Sequence, residues 1–262
     1  MMFSEEPRCV YRANQIVEVI CQLRFPEILT IEANAPVDFQ ETVRGAFPKY
    51  SVRKDAVSPR LTGAPGNMRL ETQPPINNYQ FASIDGAWRI NLTSKFISLS
   101  CSSYPRWEDF AKQLDLLLTA FIKVYQPALF ERIGLRYINA ISRRDLNLND
   151  IHYRDLFQSA YLGPLDDDSI DETAFHHCGI DFEISTGSAV RAKVHAGPGI
   201  INRNGHADQE SKFIFDQDLF IAGDIPVSHA AAALDAIHTK AFQLFRGAIT
   251  ETLHNAMNPI TI

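Results

Sequence analysis

Residues 16–25 read IVEVICQLRF, and residues 131–142 read ERIGLRYINAIS. In the first stretch Val17, Val19, Cys21, Leu23 and Phe25 alternate with Ile16, Glu18, Ile20, Gln22 and Arg24. That is the period of a strand with one face turned to a core. Pro26 ends it, having no N–H to give a ladder. The triplet Leu23-Arg24-Phe25 returns as Leu135-Arg136-Tyr137, 112 residues later. Working outward, each copy is followed by a short helical stretch, then by strands, then by a long amphipathic helix. In the first half Val37, Phe39, Val43 and Phe47 suggest a short helix after Pro36. Strand candidates follow at 79–84, 87–92 and 95–101, with the hairpin signal Asp85-Gly86 between the first two. Phe110, Leu114, Leu117, Leu118, Phe121 and Tyr125 then recur at three- and four-residue steps, marking a helix that ends before Pro127.

In the second half, Asp150 to Tyr161 suggests one or two helical turns. A hairpin is expected from 178–185 and 189–196, a strand from 212–222, and a closing helix from Ser228 to about residue 256, roughly 40 Å long. The closing helices, 105–125 and 228–256, start 123 residues apart. Each half therefore reads β-α-β-β-β-α. The expected fold is α+β, a tandem pseudo-duplication in which each half is a curved antiparallel sheet covered by a long helix. Residues 1–127 form the first half and 128–262 the second, joined as one compact unit.

The 262 residues are 45% hydrophobic and 21% charged, which excludes a disordered, collagen-like or coiled-coil chain. The net charge of -6 opposes an electrostatic grip on nucleic acid or on an anionic membrane. The basic set Arg53, Lys54, Arg60 and Arg69 is the only local exception. No apolar run is long enough to span a membrane, and the opening MMFSEEPRCV is too acidic for a signal peptide. The four cysteines, at 9, 21, 101 and 178, form no CxxC pair. They read as reduced thiols of a cytoplasmic protein.

Catalytic motifs are missing. There is no GxSxG elbow, no GxxxxGK phosphate loop, no HExxH and no EF-hand. The acidic run DDDSIDE at 166–172 lacks the glycine turn and distal Glu of a calcium loop and reads as a solvated loop, as do the Pro- and Gly-rich segment 57–66 and the polar segment 197–211. Neighbouring His176 and His177 would point to opposite faces of a strand. A metal could then take only His176, Cys178 and, across the hairpin, His195; the plain alternative is a strand edge with surface histidines. No cofactor and no metal are expected.

Charged rows are the remaining candidates. Arg24 shares a face with Glu18 and Gln22, and Arg136 shares one with Arg132. Two guanidinium groups near a pseudo-two-fold axis could clamp a carboxylate or phosphate. Alternatively they pair internally, with Glu18 or Glu131 as the nearest acids. In the hairpin, a turn at Thr186-Gly187-Ser188 would set Glu183 opposite Arg191 and Asp181 opposite Lys193, leaving Phe182, Ile184, Val190 and Val194 buried. Such a row is either a surface ion-pair ladder or one wall of a polyanion site. The reading is a binding or regulatory protein that uses its sheet as a platform for another protein or a second copy of itself. The alternative is an enzyme or sensor acting on a small anionic ligand in a cavity between the halves.

Three strings, NQIVEVICQLRFP, FISLSCSSYPRWEDF and FERIGLRYINAI, occur here in that order. Together they resemble the sporadically distributed prokaryotic family of about 260-residue proteins of unknown function. Gln15 stands where that family's opening carries Pro. The resemblance implies a stand-alone cytoplasmic protein with no catalytic residues to transfer. The patchy distribution suggests an accessory component of a mobile or defence-type gene system.

Overall fold

A computed structural model of the chain describes residues 2–56, 59–62, 67–203 and 206–261. Nine strands build one sheet. They are β1 (Ile16–Arg24), β2 (Lys49–Asp55), β3 (Ile76–Ala82), β4 (Trp88–Leu92), β5 (Phe96–Cys101), β6 (Leu129–Ile141), β7 (Ile180–Ser185), β8 (Arg191–Gly199) and β9 (Lys212–Pro226). Their order is β7-β8-β9-β6-β1-β5-β4-β3-β2, and every neighbouring pair is antiparallel. The two strands whose sequences echo each other, β1 and β6, lie side by side at the centre.

The helices are α1 (Leu29–Ala33), α2 (Val37–Val43), α3 (Trp107–Tyr125), α4 (Ala230–Ala248) and α5 (Glu251–Ala256). Alternation along the strands decides which sheet face they cover. Val19, Cys21 and Leu23 of β1 are fully buried, as are Ile133 and Leu135 of β6 and Phe213, Phe215 and Leu219 of β9. Phe110, Leu117 and Phe121 of α3 and Ile237 and Leu244 of α4 meet them in a single core. No helix among the described residues is long and apolar enough to cross a membrane.

The α+β class is as expected, but several elements differ. In the second half no α-helix follows β6. Four 3-10 turns, Tyr153–Asp155, Ser159–Tyr161, Gly163–Asp166 and Glu172–Ala174, stand there instead. Their apolar residues are too irregularly spaced for an α-helix, yet Phe157 and Tyr161 pack on Phe213 and Phe215. The first half gains β2, whose residues are mostly exposed on both faces at the sheet edge, so it shows no alternation. Segment 57–66 contributes a short pairing of Arg60–Thr62 with Arg69–Glu71; residues 57, 58 and 63–66 lie outside the described residues. Segment 197–211 is not wholly loop. Gly197-Pro198-Gly199 continues β8, and Pro198 lies past the last residue paired to the edge strand β7. A Cβ at Gly197 would sit 2.4 Å from the Cys178 carbonyl oxygen, so only glycine fits. Asn202–Arg203 pairs with His206–Ala207; residues 204 and 205 are outside the described set.

The closing helix is interrupted. Ile249 is extended and bridges Phe157. Thr250 then starts α5, its hydroxyl accepting from the Leu253 N–H and donating to the Asp155 carbonyl at 2.7 Å. Thr250→Ala removes both contacts and is expected to cost about 1–2 kcal/mol, read by chemical denaturation.

Candidate functional site

Glu18, Arg24, Arg132, Arg136, Arg191 and Lys193 project from the sheet face that the helices leave uncovered. On β6 and β9 they are committed to one another. Arg136 Nε donates to Asp216 Oδ1 at 2.8 Å, and its Nη2 bonds the other oxygen. Arg132 Nη2 reaches both oxygens of Asp218, at 2.8 and 2.7 Å. Gly134 makes this possible: a Cβ there would sit 2.3 Å from Arg132 Nη1. The partners are therefore aspartates of the next strand, not Glu18 or Glu131. Phe220, only 5% exposed, is roofed by cations, with Arg132 4.5 Å, Arg191 5.4 Å and Lys193 5.7 Å from its ring centre.

The β7–β8 pairing corrects the expected hairpin. Glu183 faces Lys193, Asp181 faces His195 and Ser185 faces Arg191, two residues from the expected register. The turn is longer, running from Thr186 to Val190 and closed by the Thr186 N–H on the Val190 carbonyl, with Gly187 at φ 77°. A two-residue shift preserves faces. Val190 and Val194 are buried, Phe182 and Ile184 are half-buried at the sheet edge, and the four charged residues point away. Glu183 still bonds Arg191 diagonally and lies 3.6 Å from Lys193. His195 bonds Asp181 at 2.9 Å, and the Cys178 thiol faces the Leu162 carbonyl. No metal-holding cluster forms among the described residues.

Arg24 and Arg136 are not brought together. Arg24 pairs in register with Arg132, four residues along β6 from Arg136, roughly 13 Å. Arg24 is exposed, and among the described residues its side chain makes neither ion pair nor hydrogen bond. Glu18 sits half-buried opposite Ile138.

The opposite face holds a cavity of about 90 Å3 between the start of α3, the middle of α4 and the segment before β1. Its floor is Tyr137 and Asn139 of β6 and Gln217 of β9. His238 of α4 stacks on Trp107, ring centres 4.2 Å apart and planes 6° from parallel. Its Nδ1 lies 2.9 Å from the Tyr137 hydroxyl. Burial pushes the His238 pKa down to about 3, helped by the charge of Arg8 and opposed by Glu108, so the ring is neutral. Burial likewise raises the Tyr137 and Tyr104 hydroxyls above their ordinary range. Asn139 donates to the Phe215 carbonyl at 3.1 Å. Gln217 Oε1 and His238 Nε2 are buried without a partner among the described residues. No protein-family model matches the chain, and no curated protein matches it significantly.

Sequence reasoning missed this cavity because it followed the charged rows. The signal was present on the apolar faces. Asn139 interrupts the alternation Ile133, Leu135, Tyr137, Ile141, Gln217 interrupts Phe213, Phe215, Leu219, and His238 lies beside the stripe Leu234, Ile237, Ala241.

Proposed function

We propose that the chain is a soluble, cytoplasmic binding or regulatory protein that arose by tandem duplication and docks an acidic segment of a partner protein on its uncovered sheet face. The duplication is supported by the mirrored strand order about β6 and β1 and by covering helices of 19 residues in each half. The central pair Gln22↔Gly134 also carries the offset of 112 that separates Arg24 from Arg136.

One observation carries the docking reading. On the second half of the uncovered face, cations and carboxylates neutralise each other pair by pair. On the first half, exposed Arg24 and Arg89 have no carboxylate partner among the described residues. Between them a row of neutral polar side chains, Gln22, Ser98, Asn91 and Gln80, crosses four strands. Strand geometry puts the two arginines roughly 16 Å apart, a span that an extended peptide with spaced carboxylates matches. The alternative, a small anion held between the halves, is less well supported, since Arg24 and Arg136 lie on the other side of the sheet from the cavity.

Binding of a fluorescent glutamate-rich peptide tests the reading. The chain is expected to bind it at low salt and release it at high salt. The double variant Arg24→Glu, Arg89→Glu should lose affinity by about tenfold or more. Its melting temperature should hold, since exposed substitutions away from packed features cost about 0.5 kcal/mol or less. No binding, or binding indifferent to the double variant, rejects the proposal. Tighter binding of a single-stranded oligonucleotide would replace it with nucleic-acid recognition.

A further inference from the structure

We propose that the cavity between α3 and α4 is a second binding site, which takes a small uncharged hydrogen-bonding molecule of the amide or alcohol class. Two orphaned groups point to a ligand. Gln217 is 3% exposed, and its Oε1 has no partner among the described residues; the same holds for His238 Nε2. Native interiors leave few polar atoms unpaired, because each carries its full desolvation cost. Both groups flank one residue, Tyr137. Gln217 faces Tyr137 across the β9–β6 pairing, and His238 bonds the Tyr137 hydroxyl. Both residues line the cavity, one from the sheet and one from α4, so a single small molecule seated there lies beside both.

The walls decide the charge of the occupant. The side chains over the floor are tyrosine, tryptophan, amide and a neutral imidazole, surroundings in which an unpaired ion is strongly disfavoured. The cations at the rim are already neutralised, Arg8 by Glu108 at 2.7 Å and Arg106 by Asp109 at 3.0 Å. Size follows from the volume. About 90 Å3 is well above the roughly 10–15 Å3 that one water needs and well below the ~150 Å3 that admits benzene. The occupant within it is therefore larger than one water and smaller than benzene.

Acetamide and acetate, alike in shape and different in charge, are the probes. In a Trp88→Phe background Trp107 is the sole tryptophan and reports the cavity from its stack on His238. Acetamide should change Trp107 emission saturably, and acetate should not. Gln217→Met, close in shape to the native side chain, should raise the half-saturation concentration about tenfold or more. It should also raise the melting temperature, because it removes a buried carbonyl with no partner; Gln217→Leu repeats the test with a smaller side chain. No saturable response, an equal response to acetate, an unchanged response in both variants, or a fall in melting temperature in both would each overturn the proposal. Because the cavity lies on the helical side of the sheet, its failure leaves the peptide experiment standing, and the reverse is also true.

Discussion

Acidification from about pH 7 to about pH 4.5 should cost the wild-type chain about 2–3 kcal/mol of stability that a His238→Gln variant retains. In the unfolded chain this imidazole titrates near its ordinary value of 6.5; in the native core its pKa is about 3. Across that window the unfolded state takes up a proton and the native state does not. Stability is therefore full above about 6.5 and falls as pH drops toward the native value. The cause is local: the ring is stacked on Trp107 and bonded to the Tyr137 hydroxyl, with the Arg8 charge nearby. His254 also titrates low, chiefly through burial, but it contributes to both proteins, so the difference between the two pH profiles isolates His238. Urea denaturation across the range measures it. Parallel profiles would mean that the ring is hydrated and charged at mild pH, and the cavity would lose its neutral wall.

Truncation of Phe213 to alanine should cost about 3–5 kcal/mol, the largest single loss expected outside the cavity. Phe213 is fully buried, stacks on Phe157 with ring centres 4.0 Å apart and meets Tyr153 at 5.2 Å. It fastens the 3-10 layer of the second half to the sheet. Amide exchange should therefore accelerate across Tyr153–Leu165 before it does in α3. Ile214, its neighbour in sequence, faces the uncovered side and is half-buried, and its truncation should cost about 1 kcal/mol or less. Equal losses for the two would mean that the faces of β9 are assigned wrongly.

What was legible in the sequence follows a physical pattern. Period-two alternation located β1, β7 and β8, and the three- and four-residue steps located α2 and α3, because each of these elements turns one face to the core and leaves the other more exposed. The edge strand β2 escaped notice for the converse reason. The break at Ile249 was also invisible, since the apolar stripe continues through it and only the bridge to Phe157 interrupts the helix. Of the candidate site, the charged rows were readable on single strands, but their partners Asp216 and Asp218 belong to a strand distant in sequence. Register decides such pairs, and a turn of five residues in place of three shifts them.

The central claim is that the uncovered face near Arg24 and Arg89 receives an acidic partner segment. Carbodiimide coupling of the glutamate-rich peptide to the intact chain tests it most directly, by joining peptide carboxylates to whichever lysine they touch. Lys49 is exposed on that face, in the same cross-strand row as Arg89 through Ala82. Lys112 and Lys123 are exposed on α3, and Lys240 lies on α4. Coupling at Lys49, lost in the Arg24→Glu, Arg89→Glu variant, is the predicted result. Coupling confined to Lys112, Lys123 and Lys240 would contradict it.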